Sequence, residues 1–170
     1  VFQSHVGKDV PADLIGDPLH LRQVLINLVG NAIKFTETGS VDLRCHVLRR
    51  EHAEVLLRFQ VIDTGIGIPE AAKARIFDKF SQADESTTRK FGGSGLGTTI
   101  SKQLVDLMGG QLGFESTEGV GTRFWFDLRF EEGRSEETTG TEILRECRVL
   151  RMSRHPALTT RAEIHSIASR

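Results

Sequence analysis

The chain has little of what would mark a special environment. It holds two cysteines in 170 residues, Cys45 and Cys147. They stand far apart, with neither a CxxC spacing nor a histidine cluster beside them, which excludes a disulfide scaffold or a zinc cluster as the organising element. No apolar run approaches the roughly 18 residues that span a bilayer, and no signal-peptide pattern opens the chain. Charge of one sign is missing too. A formal net charge of −1 argues against a surface built to neutralise nucleic-acid phosphates, so no nucleic-acid partner is expected. There is no internal repeat. Two common phosphate-binding patterns also fail: Thr98 and Thr99 follow Gly97 where a P-loop needs lysine, and Glu70 and Thr98 stand where GxGxxG needs its last glycine. The first residue is Val1 rather than an initiator methionine, as expected of an excised domain.

What is present suits one domain with a packed core, 38% hydrophobic and 26% charged. In "LHLRQVLINLVGNAIKF", Leu19 to Phe35, the residues Leu21, Val24, Leu25, Leu28, Ala32 and Phe35 recur at the spacing of a helix docked on a core. Asp17 is its expected N-cap and Pro18 lies in its first turn. Gln23, Asn27, Asn31 and Lys34 fall within an arc of about 80° at about 100° per residue. A stripe of amides is an unusual choice for mere solubility, because Glu and Lys are better helix formers than Asn.

Farther along, Val41, Leu43, Cys45 and Val47, then Val55, Leu57, Phe59 and Val61, alternate as two strands joined by a charged turn. The loop "DTGIGIP" follows, then a short helix-like "EAAKARIFDKF" and a hydrophilic stretch to Gly93. A second helix is expected over about Thr98 to Met108, with Ile100, Leu104, Val105 and Met108 inward, stopping at Gly109-Gly110. A hairpin through "TEGV" places Thr122, Phe124, Phe126, Leu128 and Phe130 on one face. The pattern predicts an α/β (α+β) two-layer sandwich, a mixed sheet with helices packed on one face.

Glycines cluster beside element ends: Gly65 and Gly67; Gly93, Gly95 and Gly97; Gly119 and Gly121. Alone, each reads as a turn former. The ordered set is more specific. "NLVGNAIKFT", "DTGIGIP", "FDKF", "GGSGLGT" and "GTRFWF" resemble, in that order, the boxes of the ATP-binding catalytic domain of histidine kinases, the Bergerat fold shared with gyrase and Hsp90. The resemblance covers roughly residues 1 to 130, and "FSQADESTTRKFGGSGLG" is most similar to hybrid kinases, which carry receiver domains on the same chain.

The resemblance implies roles for the stripe and the loops. Asn31 would hold Mg²⁺ against the ATP phosphates, a hard neutral ligand for a cation that keeps water and phosphate oxygens. Asn27 would face the phosphates where gyrase- and Hsp90-like ATPases carry a water-activating Glu; an amide cannot act as that base. Lys34 would place a cation on the phosphates, and Arg89 and Lys90 would reach the β- or γ-phosphate from a closing lid. Asp63 would accept from the adenine amino group, with Gly65 and Gly67 shaping the loop and Thr122 completing a water network around the base. Ile68, Ile100 and Leu96 are candidates for contact with the ring, and Phe77 and Phe80 for anchoring the lid. Gly93, Gly95 and Gly97 would offer N–H groups to phosphate at a helix start. Thr98 departs from the family, which often has an apolar residue there, so its contacts are left open.

No acceptor-helix signature surrounds His5, His20, His46, His52, His155 or His165, so the phosphoacceptor domain is expected outside this chain. The expected organisation is a catalytic domain over 1–131, a linker over 132–144, and a tail or the start of a receiver-like module over 145–170. Ser153 and Arg154 stand where a receiver needs an acidic pair. The resemblance thus implies Mg-ATP as cofactor, γ-phosphoryl transfer to a histidine, a downstream receiver or response regulator, a homodimeric parent and a cytoplasmic location, with the parent anchored in the bacterial inner membrane. The alternatives are an ATPase that couples hydrolysis to dimer closure, and a silent nucleotide-sensing module.

Overall fold

The computed structural model describes residues 1–78 and 96–133, and the backbone of 149–151. In chain order the elements are β1 (Phe2–Val6), β2 (Asp13–Ile15), α1 (Pro18–Lys34), β3 (Val41–Glu51), β4 (Glu54–Asp63), α2 (Glu70–Lys73), α3 (Gly97–Leu107), β5 (Gln111–Thr117), β6 (Gly121–Glu132) and β7 (Val149–Arg151). One mixed sheet takes the order β1-β3-β4-β6-β2-β7, with β5 paired to the first half of β6. Among the described strands only β1 runs parallel to its neighbour, β3, and the other pairs are antiparallel.

The alternation seen in the sequence sets the sheet's inner face. Val55, Leu57, Phe59 and Val61 of β4 are at most 1% exposed, and Phe124, Phe126, Leu128 and Phe130 of β6 are buried opposite them. Phe59 and Phe126 stack with ring centroids 4.8 Å apart, a geometry that adds to the area they remove from water. From the other layer, α1 buries Leu21, Val24, Leu28 and Ala32, the residues whose spacing marks the helix. Its start is capped as expected. The Asp17 side chain accepts from the amides of Leu19 and His20, and Pro18 occupies the first turn. These bonds, led by the His20 amide, hold the Asp17 carboxyl below its ordinary range.

Several local expectations shift. The charged turn between β3 and β4 tightens to residues 52–53, with His52 at φ 53°. The helix-like run after the loop forms only the four residues of α2 before turning. Asp13–Ile15, which has no long alternating pattern, becomes a strand because β6 and β7 flank it on either side. Among the described residues no helix is long and apolar enough to cross a membrane.

One glycine in α1 serves no visible constraint. A Cβ on Gly30 would meet nothing within 4 Å, and the residue lies on the exposed face. Gly30→Ala is therefore expected to stabilise the fold by about 0.5–1 kcal/mol. A higher midpoint in urea, with unchanged slope, is the check.

Candidate functional site

The candidate residues meet where the second half of α1, the end of β4 and the first turn of α3 come together. Asp63 closes β4 and is only 8% exposed. Its Oδ1 accepts from the Gly65 amide at 2.9 Å and from the Thr122 amide at 3.3 Å. Both bonds fall on Oδ1 and neither on Oδ2. Burial pushes the carboxyl above its ordinary value, and the two amides offset that only in part.

The loop after Asp63 is held from both sides. The Ile66 amide donates to Phe35 O at the end of α1 (3.2 Å), and the Gly119 amide donates to Ile66 O from the β5–β6 turn (2.8 Å). At Gly65 a Cβ would stand 2.3 Å from Phe35 O; only glycine lets the two backbones approach so closely. Gly67, at φ +67°, faces the Thr117 carbonyl. Ile68 packs on the core, and its amide donates to Ser116 Oγ at 2.8 Å.

The amide stripe of α1 faces α3. Asn27 Oδ1 accepts from Gln23 Nε2 at 3.0 Å, and its Nδ2 donates to Gly97 O and Ser101 Oγ at 3.4 and 3.5 Å. Asn31 Nδ2 lies 3.6 Å from where a Gly97 side chain would begin. Lys34 extends from the same helix, its Nζ 4.9 Å from the centroid of the Phe35 ring. Leu96 is the N-cap of α3, and it makes no side-chain cap bond. The first amides of α3 thus start beside Asn31 without a side-chain acceptor from the cap. Among the described residues no group of three His, Cys, Asp or Glu side chains converges to hold a metal.

Thr98 and Thr99 do something the sequence left open. Their hydroxyls donate to Ile76 O at 2.8 Å and Asp78 O at 3.0 Å. They staple the first turn of α3 to the segment after α2, and the Thr98 hydroxyl hydrogen is directed there. Phe77 meets Phe114 edge-on, with centroids 5.6 Å apart, and packs against the core. Ile100 is a correction: it was expected inward, but it is 38% exposed, while Ser101 and Val105 are fully buried. Leu104, Val105 and Met108 keep to the core as expected, while Ser101, turned toward Asn27, takes the inward place one turn before Val105. Arg89, Lys90, Gly93, Gly95 and Phe80 lie outside the described residues.

Two site residues escaped sequence reasoning. Ser101 Oγ donates to Gly97 O at 2.9 Å, so it shares that carbonyl with Asn27. Ser116 pairs in register with Thr122 across the β5–β6 hairpin, and their hydroxyls are 2.9 Å apart. The hairpin was legible, so pairing its two strands outward from the turn was the signal that could have found Ser116.

Comparison with known proteins agrees with this architecture. A family model described as histidine kinase-, DNA gyrase B-, and HSP90-like ATPase matches residues 16–132. The sensory/regulatory protein RpfC of Xanthomonas campestris pv. campestris is 52% identical over 128 residues, 75% of this chain and 18% of that protein. The signal transduction histidine-protein kinase BarA of Escherichia coli is 46% identical over 127 residues, 75% of this chain and 14% of that protein. The chain therefore spans less than a fifth of the length of these relatives. Among solved structures, full-length ShkA in complex with AMPPNP superposes with a TM-score of 0.64 at 37% identity, over 78% of this chain and 26% of that one.

Proposed function

The chain belongs to the family of histidine kinase-, DNA gyrase B- and HSP90-like ATPases, and from that membership we propose that it binds Mg-ATP and presents the γ-phosphoryl group to a histidine of a separate phosphoacceptor domain in two-component signalling. One observation carries the reading: a buried strand-end carboxylate, Asp63, whose Oδ1 is held by two backbone amides while Oδ2 carries neither bond. An acceptor of this kind suits the exocyclic amino group of adenine and repels the carbonyl that guanine has there. Thr122 borders it, Gly65, Gly67 and Ile68 form the adjoining wall, and Leu96 leads into α3.

The phosphates would lie between the amide stripe and α3. The donor set fits Mg²⁺, because one carboxamide, Asn31, leaves most ligand positions to phosphate oxygens and water. When bound, the ion would neutralise charge shared between the phosphates. Lys34 from α1, and Arg89 and Lys90 from the stretch between α2 and α3, would balance the rest. The amides at Gly93, Gly95, Gly97 and Thr98 would serve the same anion. Transfer then needs position more than base catalysis. The acceptor imidazole nitrogen forms the N–P bond, the bond to the β-phosphate oxygen breaks, and ADP leaves. Asn27 matches this division of labour: its carboxamide is engaged by Gln23, Gly97 and Ser101 and holds no proton-accepting group of a base's strength. That argues against the ATPase reading, which steady ATP turnover by this chain alone would revive.

The wider organisation belongs to the same proposal: a catalytic domain over 1–131, a linker over 132–144, and a tail or the start of a receiver-like module over 145–170. The parent would be a hybrid-type homodimer, dimerised through domains absent here, with this domain on the cytoplasmic side of the inner membrane and a receiver or response regulator downstream.

Titration calorimetry with ADP and a non-hydrolysable ATP analogue, with and without Mg²⁺, tests the site. Wild type is expected to bind both, and Asn31→Ala to remove the Mg²⁺-dependent gain while Mg²⁺-free ADP binding persists. A folded chain that binds neither nucleotide overturns the proposal. Formation of acid-labile phosphohistidine on an added phosphoacceptor hairpin separates a kinase from a silent nucleotide sensor.

A further inference from the structure

A purine site rejects the wrong base more sharply when its hydroxyl groups, as well as its carboxylate, point the right way. At this site that direction is set by Ser116, a residue on β5. Ser116 Oγ lies 2.8 Å from the Ile68 amide, 3.0 Å from Gly121 O and 2.9 Å from Thr122 Oγ1. The Ile68 amide can only donate and the Gly121 carbonyl can only accept. Ser116 has one hydrogen, which goes to Gly121 O. The remaining contact is then satisfied when Thr122 donates to Ser116. The Thr122 backbone is fixed as well, since its amide donates to Asp63 Oδ1 and the residue is 7% exposed.

From this hydrogen inventory we infer that Ser116 is a specificity-determining positioning residue, which consumes the Thr122 hydroxyl hydrogen so that Thr122 faces the base only as an acceptor. The inference rests on the adenine-site reading above and adds the means of discrimination. Thr122 Oγ1 and Asp63 Oδ2 then form an acceptor pair. A 6-amino purine, or a water bridging to it, supplies hydrogens to such a pair. With the pair turned to the 6-position, a 6-oxo purine presents there a lone pair that neither group can satisfy. Releasing Thr122 from Ser116 frees a hydroxyl rotor that can donate to the 6-oxo group.

The test is titration of the whole 170-residue chain with ADP and with inosine diphosphate, which differ in the purine ring at the 6-position and the N1 proton that goes with it. Wild type is expected to prefer ADP. Ser116→Ala should narrow that preference about threefold to tenfold, the worth of one neutral hydrogen bond, chiefly through tighter inosine diphosphate binding. Ser116→Thr, which keeps the hydroxyl, should retain the wild-type ratio. A merely structural role would lower the melting temperature or weaken both ligands together, leaving the ratio unchanged; that result overturns the inference while ADP binding preserves the site. If Ser116→Ala does not fold, Ser116→Cys, whose thiol is a weak partner, must narrow the preference for ADP below that of wild type. An unchanged ratio there is equally fatal. A wild-type chain that binds neither ligand sinks the adenine-site reading, and the inference with it.

Discussion

Asp63→Asn is expected to keep the fold and lose the nucleotide. The Asn side-chain oxygen can take the place of Oδ1 and accept from the Gly65 and Thr122 amides, which the carboxylate now receives at 2.9 and 3.3 Å. Its NH₂ group then replaces Oδ2 and turns an acceptor into a donor that confronts the adenine amino group. Losing a hydrogen bond to a charged acceptor costs about 1.5–3 kcal/mol. ADP affinity should therefore fall at least roughly tenfold, and more than a hundredfold at the upper end. Stability should move the other way. Burial raises the folded-state value of this carboxyl. Its stabilising contribution is complete below the ordinary carboxylate value and is lost as pH climbs through the raised folded value. At neutral pH the wild type therefore carries an uncompensated part of a desolvation cost that the uncharged Asn avoids. Thermal unfolding at several pH values is the check. Asp63→Asn should melt no lower than wild type at pH 7 and should show a weaker fall in stability between acid and neutral pH. A variant that unfolds at pH 7 would show that the carboxylate holds the fold rather than a ligand.

Gly121→Ala is expected to damage both fold and site. Gly121 begins β6 at φ +140°, and a Cβ there would stand 2.1 Å from Asp63 O and 3.0 Å from Thr64 Cα. Both obstacles are backbone, so no flexible side chain can swing aside. The strained φ and the overpacking each cost of the order of 1–3 kcal/mol, or roughly 2–6 kcal/mol together. Relief requires the end of β4 to move, and Asp63 moves with it. Chemical denaturation should report the loss, and the variant that remains folded should bind ADP more weakly. Gly119→Ala is the natural control. Gly119 also has positive φ, +75°, but its added Cβ would meet nothing within 4 Å, so only the backbone strain of about 1–3 kcal/mol applies.

Much of the architecture can be read along the chain because its causes are local. Helix α1 declares itself through an apolar period and through Asp17 and Pro18 at its start, and each of these acts within one turn. The β4 and β6 faces follow from strict alternation, and the buried rows Val55 to Val61 and Phe124 to Phe130 are those rows. Ile100 misled for an instructive reason. Hydrophobicity placed it inward, yet Ser101 holds the neighbouring inward place near Asn27, and Thr98 and Thr99 are tied to Ile76 and Asp78, while Leu104, Val105 and Met108 keep to the core. Polar side chains that face a partner far away in sequence leave no period to read.

The same division runs through the site. The residue types and their order, from the amide stripe to the three glycine clusters, were enough to place the chain in its family and to nominate Asp63, Asn31 and Thr122, because a box is a local string. What a carboxylate or hydroxyl does with its oxygens is a different matter. The Thr122 amide reaches Asp63 across 59 residues, Ile68 finds Ser116 across 48, and Asn27 meets Gly97 across 70. Those encounters depend on the order of strands in the sheet and on how α3 lies against α1. Hydrogen bonding is directional and short-ranged, so which oxygen is occupied and which hydroxyl hydrogen is taken are settled only after the strands and helices have packed.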